Sequence, residues 1–144
     1  MTLSPAYIYT HSVETAVSAA AIWACYEDVS TWPSWDAQAE LVTRDGPFEA
    51  GSTGTMQFRG QDPLPYRLTA VEPLRLFVDE TPVGDIVVRV SHLLEQLGSG
   101  QLRITYSAQI DGPAEMAREV GPMITADFPE TIKSLIAAAG ERSQ

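Results

Sequence analysis

Ile22-Trp23-Ala24-Cys25-Tyr26-Glu27-Asp28-Val29-Ser30-Thr31-Trp32-Pro33-Ser34-Trp35-Asp36 is the stretch that decides the fold. Ile22, Cys25, Tyr26 and Val29 recur at helical spacing and make one apolar stripe facing an interior. Trp32-Pro33-Ser34-Trp35 then sets two large rings around a proline suited to a helix's first turn. Two tryptophans placed so can wall a concavity, because each brings a broad apolar face and one N–H donor. Just upstream, Ser18 is an N-cap candidate for a helix opening at Ala19, and Tyr7 through Val17 is rich in Tyr, Ile, Thr and Val and reads as a first strand. A second short helix is expected over 31–36.

Downstream, short β-like runs alternate with turn signals as far as about residue 111. The runs are 38–45, 53–60, 65–72, 75–81, 84–95 and 101–111, separated by punctuation such as Asp45-Gly46-Pro47, Pro82-Val83-Gly84 and Gly98-Ser99-Gly100. Connections this short leave room only for hairpins, so the sheet is predicted to be antiparallel. In the last run Leu102, Ile104, Tyr106, Ala108 and Ile110 share one face, and Arg103, Thr105, Ser107 and Gln109 the other. One side is therefore buried and the other wet. The preceding run groups Ile86, Val88, Val90, His92 and Leu94. From Pro113 onward the pattern turns helical, with Met116, Val120, Met123, Ile124, Phe128, Ile132, Leu135, Ile136 and Ala139 in one stripe. That stripe keeps its phase through Pro122 and Pro129, which predicts a single bent helix stopped at Gly140.

The 144 residues fit one domain spanning 1–144, long enough to bury a core and an internal pocket. A hydrophobic fraction of 44% is ordinary for a globular protein. Nineteen acidic residues against nine Lys and Arg give a net charge of −10, a field that disfavours nucleic acid and anionic membrane surfaces as partners. No run is long and apolar enough to span a bilayer. The start Met1-Thr2-Leu3-Ser4-Pro5-Ala6 lacks a basic and then apolar leader pattern, so a cytoplasmic location is the expectation. Cys25 is the single cysteine, which excludes an internal disulfide and any cysteine-cluster metal site. A homodimer is compatible with the sequence, which does not set the oligomeric state.

The order of elements resembles the helix-grip fold of the START-like (SRPBCC) superfamily, and within it the polyketide cyclase/dehydrase-like group. The likeness is carried by Ala21-Ile22-Trp23, Asp28-Val29, Trp32-Pro33-Ser34-Trp35, Asp45-Gly46-Pro47-Phe48-Glu49-Ala50-Gly51, Val71-Glu72-Pro73 and the closing helix. It implies an α+β architecture: a curved, seven-stranded antiparallel sheet, two short helices and a long C-terminal helix. It also implies a deep cavity between sheet and helix for a small apolar or amphipathic ligand, lipids included, and no particular reaction.

His92 is the side chain to single out, since its parity points it toward the concave face. Burial lowers an imidazole's pKa, so His92 is expected to be neutral and able to meet a ligand hydroxyl or carbonyl, or to take a proton. Tyr106, on the same face of the adjacent strand, would join it in one polar spot if the register sets them side by side. A Tyr–His pair that only satisfies the core explains both residues equally well. Trp35, Met56, Phe58, Tyr66 and Phe128 are candidate walls, although residues of this kind more often simply pack. Trp23 and Trp32 read as core and helix-junction anchors, and Cys25 as an inert buried thiol. His11 is expected to be exposed or at an edge, and two distant histidines make a weak metal signal, so no metal and no cofactor are expected. Asp79-Glu80 alternates faces and is taken as solvated surface. Neither histidine has an evident orienting carboxylate. The expected function is binding of a small hydrophobic or aromatic molecule. The alternatives are a cofactor-independent cyclase or aromatase using His92 and Tyr106, and a protein-interaction module on the outer sheet face, which its polar residues discourage.

Overall fold

A computed structural model describes residues 5–142; Met1–Ser4, most of the segment read above for a leader, and Ser143 and Gln144 lie outside them. The chain runs β1 (Tyr7–Thr15), α1 (Ala19–Glu27), a 3-10 turn (Val29–Thr31), α2 (Trp32–Trp35), β2 (Ala39–Asp45), β3 (Thr53–Phe58), β4 (Leu64–Glu72), β5 (Leu76–Val83), β6 (Ile86–Gln96), β7 (Leu102–Asp111), α3 (Ala114–Thr125) and α4 (Phe128–Arg142). Ser18 caps α1 as expected, its Oγ accepting the Ala21 N–H at 3.2 Å.

The seven strands form one antiparallel sheet in the order β1-β7-β6-β5-β4-β3-β2. Hairpins join each strand from β2 to β7, and β1 closes against β7 in register from Tyr7↔Ile110 to Thr15↔Leu102. The inner face carries the apolar residues of β6 and β7, and the outer face is polar. There Arg89 bridges Glu80 and Asp111 at 2.9 and 3.2 Å. α4 lies against α1, α2 and β1, completing the helix-grip layer over the inner face.

The C-terminal segment departs from expectation. It forms two helices rather than one bent helix, and the break falls at Ala126–Asp127, at neither proline. Pro122 is exposed within α3, and Pro129 sits in the first turn of α4, where a missing N–H costs nothing. Met123 leaves the stripe altogether and is 74% exposed, and Gly140 does not stop α4, which runs to Arg142. The two helices serve different cores. α3 packs on β1 and β7 over Ile86, Val88, Ile110 and Ala117, whereas α4 gives Ile132, Leu135 and Ala139 to the main cluster beneath α1 and α2.

α3 is held to β1 by close approach as well as by apolar area. Gly121 lies on the Tyr7 ring, such that an added Cβ would sit 2.6 Å from its carbons. The Tyr7 hydroxyl shares a 3.0 Å hydrogen bond with Thr125 Oγ1. Gly121→Ala would gain about 1 kcal/mol of helix propensity. Overpacking against an aromatic ring costs about 1–3 kcal/mol. The variant is therefore expected to unfold at a lower temperature than the wild type, by a few degrees in a circular-dichroism melt. An equal or higher midpoint would show that the Tyr7 ring gives way freely.

Candidate functional site

The register places the two polar candidates together. Phe77 of β5 pairs with His92 of β6, and His92 with Tyr106 of β7. Beyond Tyr106 stands His11 of β1, half-buried on the inner side of this edge strand rather than turned to solvent. These side chains form one row across four strands. His92 stacks on Phe77 with ring centroids 3.8 Å apart, and meets Tyr106 edge-on at 4.6 Å. From α1, Tyr26 drops onto the row, 4.7 Å from Phe77 and 5.7 Å from His92.

The hydrogen bonds assign roles within the row. His92 Nδ1 lies 3.2 Å from the Phe77 carbonyl oxygen. A carbonyl can only accept, so Nδ1 carries the proton and Nε2 is left as the acceptor. Tyr106 does not bond to His92; its hydroxyl accepts from the Tyr26 hydroxyl at 3.4 Å. Burial raises both phenols' pKa, so they stay protonated. Burial likewise takes His92 down from 6.5 to about 3, against the raising effect of the Phe77 bond, so the ring is neutral.

Asp79 corrects the sequence expectation. It is not solvated but 7% exposed on the inner face of β5, with Oδ2 at 3.9 Å from His92 Nε2. Its neighbour Glu80 is the outward one and pairs with Arg89. His92 therefore does have a carboxyl companion, brought from the adjacent strand. The alternation Phe77, Asp79, Thr81 was the available signal, hidden because acids on strands are usually wet. Burial first, and the charge of Asp36 second, push Asp79 up from 3.8 to about 7. Asp36, just past α2, is itself raised from 3.8 to about 6, mainly by burial.

The other wall candidates divide. Trp35 is buried and meets Tyr26 at 6.2 Å and Trp32 at 5.8 Å. Trp32 donates its Nε1–H to the Tyr26 carbonyl at 3.1 Å, fixing the helix junction, whereas the buried Trp35 Nε1 has no partner among the described residues. An unmet buried donor costs about 1–3 kcal/mol, and it distinguishes Trp35 from an ordinary core ring. Phe128, on the first turn of α4, is half-buried between Tyr106 and Tyr9 at 5.7 and 5.9 Å. Met56 and Phe58 stand near the opposite sheet edge on β3. Tyr66 of β4 gives its hydroxyl to the Thr43 carbonyl at 2.6 Å. Among the described residues, Tyr66 makes no ring contact with the His92 row. Cys25 is buried, as expected.

The hollow expected between sheet and closing helix is filled. Trp23, Tyr26, Trp32, Trp35 and Phe77 occupy it, since the rings of α1 and α2 turn inward instead of lining an edge. Two concavities lie elsewhere. One, of about 500 Å³, is an open depression beside Glu27, Asp28, Ser30 and Arg44. The other, of about 190 Å³, is on the outer sheet face at Val78, Arg89, Ser91, Ser107 and Gln109. Among the described residues no three His, Cys, Asp or Glu side chains cluster as a metal site would need, and no helix is long and apolar enough to cross a membrane.

Comparison with known proteins agrees with this architecture. The family model described as polyketide cyclase/dehydrase and lipid transport matches residues 8–140, and the chain belongs to that family. Among solved structures it is similar to the Zhui aromatase/cyclase from Streptomyces sp. R1128, at 12% identity over 96% of both chains with a TM-score of 0.79. It is also similar to norcoclaurine synthase from Thalictrum flavum in complex with dopamine and hydroxybenzaldehyde, at 18% identity over 94% of this chain and 87% of that one, with a TM-score of 0.74. A Thermobifida fusca protein solved by NMR matches at 22% identity over 93% of each chain, with a TM-score of 0.74. These similarities show a shared fold. Among curated protein sequences, none is similar enough to this chain to count as a relative.

The raised carboxyl of Asp79 makes a signed prediction. Between pH 3.8 and about 7 the folded chain keeps a proton that the unfolded chain has lost, so this group's contribution to stability falls as pH rises through that window. His92 acts oppositely between about 3 and 6.5, where the unfolded chain holds the extra proton. Subtracting the wild-type melting temperature from that of Asp79→Asn cancels the histidine contribution. That difference is expected to move in the variant's favour from about pH 4 to pH 7 and then level off. A difference that does not change with pH would show an unshifted carboxyl.

Proposed function

We propose that this chain binds a small hydrophobic or aromatic molecule at the His92–Tyr106 row, between the sheet and α4. The observation that carries this reading is the set of buried polar groups with unused bonding capacity among aromatic walls. His92 Nε2 faces the buried Asp79 carboxyl at 3.9 Å, and among the described residues Trp35 Nε1 is a buried donor without an acceptor. A largely apolar wall with a few converging polar groups is the usual make-up of a small-molecule site. Family membership, and neighbours named as an aromatase/cyclase and a synthase bound to two aromatic compounds, support the same class of ligand.

Because rings fill the interior, entry requires side chains to move. Phe128 is the natural gate: it is half-buried, covers Tyr106, and follows directly on the Ala126–Asp127 break. Burying about 200–300 Å² of ligand at about 25 cal/mol per Å² contributes about 5–7 kcal/mol before association costs, which corresponds to micromolar or weaker binding.

Acid–base chemistry of the cyclase kind is the second reading, and the 3.9 Å approach of Asp79 to His92 Nε2 favours it. A neutral imidazole could accept a proton from an activated carbon or hydroxyl while a protonated carboxyl polarises a nearby carbonyl. Native mass spectrometry of freshly purified protein is expected to reveal a co-purifying molecule of a few hundred daltons or less. For that molecule, a carrier predicts that His92→Ala weakens binding a few-fold and that the wild type shows no turnover. Turnover abolished in His92→Ala with binding intact would instead establish the enzyme. A chain that carries no adduct and takes up no aromatic probe would remove both readings.

A further inference from the structure

Trp35 and the acids around it say what kind of molecule this site would hold, on the footing of the binding reading above. Trp32 and Trp35 share one short helix and are equally buried, yet among the described residues Trp32 has an acceptor for its indole N–H and Trp35 has none. Trp35, at 5% exposure, is screened from bulk water and joins the His92 row through Tyr26. The missing partner for such a donor is an oxygen acceptor.

The charge around it restricts which oxygen. Asp36 follows Trp35 directly, Asp79 faces His92, and Asp127 lies at the α3–α4 break. Their mutual influence is visible in the interior: Asp36 raises Asp79, and Asp127 raises Asp36. Among the described residues no Lys or Arg pairs with any of the three; the ion pairs of Arg75, Arg89 and Lys133 engage other acids. The overall charge of −10 has the same sign. A ligand anion would therefore enter a poorly solvated space in which, among the described residues, no Lys or Arg is paired with these acids.

We propose that the interior site selects neutral aromatic molecules bearing a hydroxyl or carbonyl oxygen, with that oxygen accepting the Trp35 indole N–H, and that it excludes carboxylates of the same shape. The Trp35 N–H gives up no partner among the described residues, so the ligand oxygen exchanges a bond to water for one to a donor otherwise buried and unmet. A carboxylate offers a stronger acceptor but brings a charge into a poorly solvated space where, among the described residues, no Lys or Arg pairs with Asp36, Asp79 or Asp127.

Equilibrium dialysis of the full chain against naphthalene, 2-naphthol and 2-naphthoate tests this. The wild type is expected to hold 2-naphthol about tenfold more tightly than naphthalene, and 2-naphthoate more weakly than either. Trp35→Phe keeps an aromatic ring but no N–H; it should lose about tenfold for 2-naphthol and little for naphthalene. Equal loss for both, no loss for 2-naphthol, or 2-naphthoate bound as well as 2-naphthol would overturn the proposal. Binding of all three without discrimination does so while leaving the interior site standing; no binding of any removes the site as well. Should Trp35→Phe not fold, the Trp35 indole resonance of nitrogen-15-labelled wild type decides. Its proton must move downfield on adding 2-naphthol, as a new hydrogen bond requires, and further than naphthalene moves it; an unmoved resonance, or equal movement with both, refutes the assignment.

Discussion

The interior depends on one bond between neighbouring strands: the 3.2 Å contact from His92 Nδ1 to the Phe77 carbonyl. An imidazole that deep must surrender its charge and satisfy its N–H: burial takes the charge, and a backbone acceptor one strand away satisfies the N–H. The bond holds the ring flat on Phe77, with 7° between the planes. That orientation presents Nε2 to Asp79 and an edge to Tyr106. The aromatic residues of α1 and α2 then settle on a surface whose polar points are already fixed.

Two kinds of cost are accepted in that interior. One is electrostatic, since buried carboxyls are kept near other carboxyls without a basic partner, and the protein responds by holding protons on them. The other is a donor left unmet on Trp35. Protein cores ordinarily avoid both, and where they persist together the natural explanation is a function that uses them. The outer face offers the contrast. Arg89 is matched to two acids there, and hydroxyls of β1 and β7 pair across the strands at 2.8 and 3.3 Å.

Much of this was legible in the residues themselves. Strict alternation in Leu102–Ile110 gave the buried side of β7, and parity alone turned His92 inward. The tight turns fixed the antiparallel order, and register then brought Tyr106 beside His92. Three features were not legible. Asp79 was misjudged because alternation says which side a residue takes, and burial of an acid depends on neighbours distant in sequence. The α3–α4 break is not legible because hydrophobic phase can continue across a helix end when both pieces touch one strand, here β1, even though they fill separate clusters. The filled interior was missed because residue types that can line a hollow can equally fill it, and only the rotamers of Trp23, Tyr26 and Trp35 decide. Trp32 and Trp35 look alike in sequence, and their difference lies wholly in what each N–H reaches.

The break at Ala126–Asp127 has a wider consequence. α3 is anchored by Tyr7 on Gly121 and by its own small apolar cluster, whereas α4 belongs to the main one, so the two helices draw on separate reserves of stability. Changes in one are expected to add to changes in the other rather than compound them. Divergence of the chain can thus alter how α4 and Phe128 meet the sheet while α3 remains a fixed abutment. Accommodating a bulkier guest and keeping the barrel-like wrap closed become separate problems, solved by different parts of the same C-terminal third.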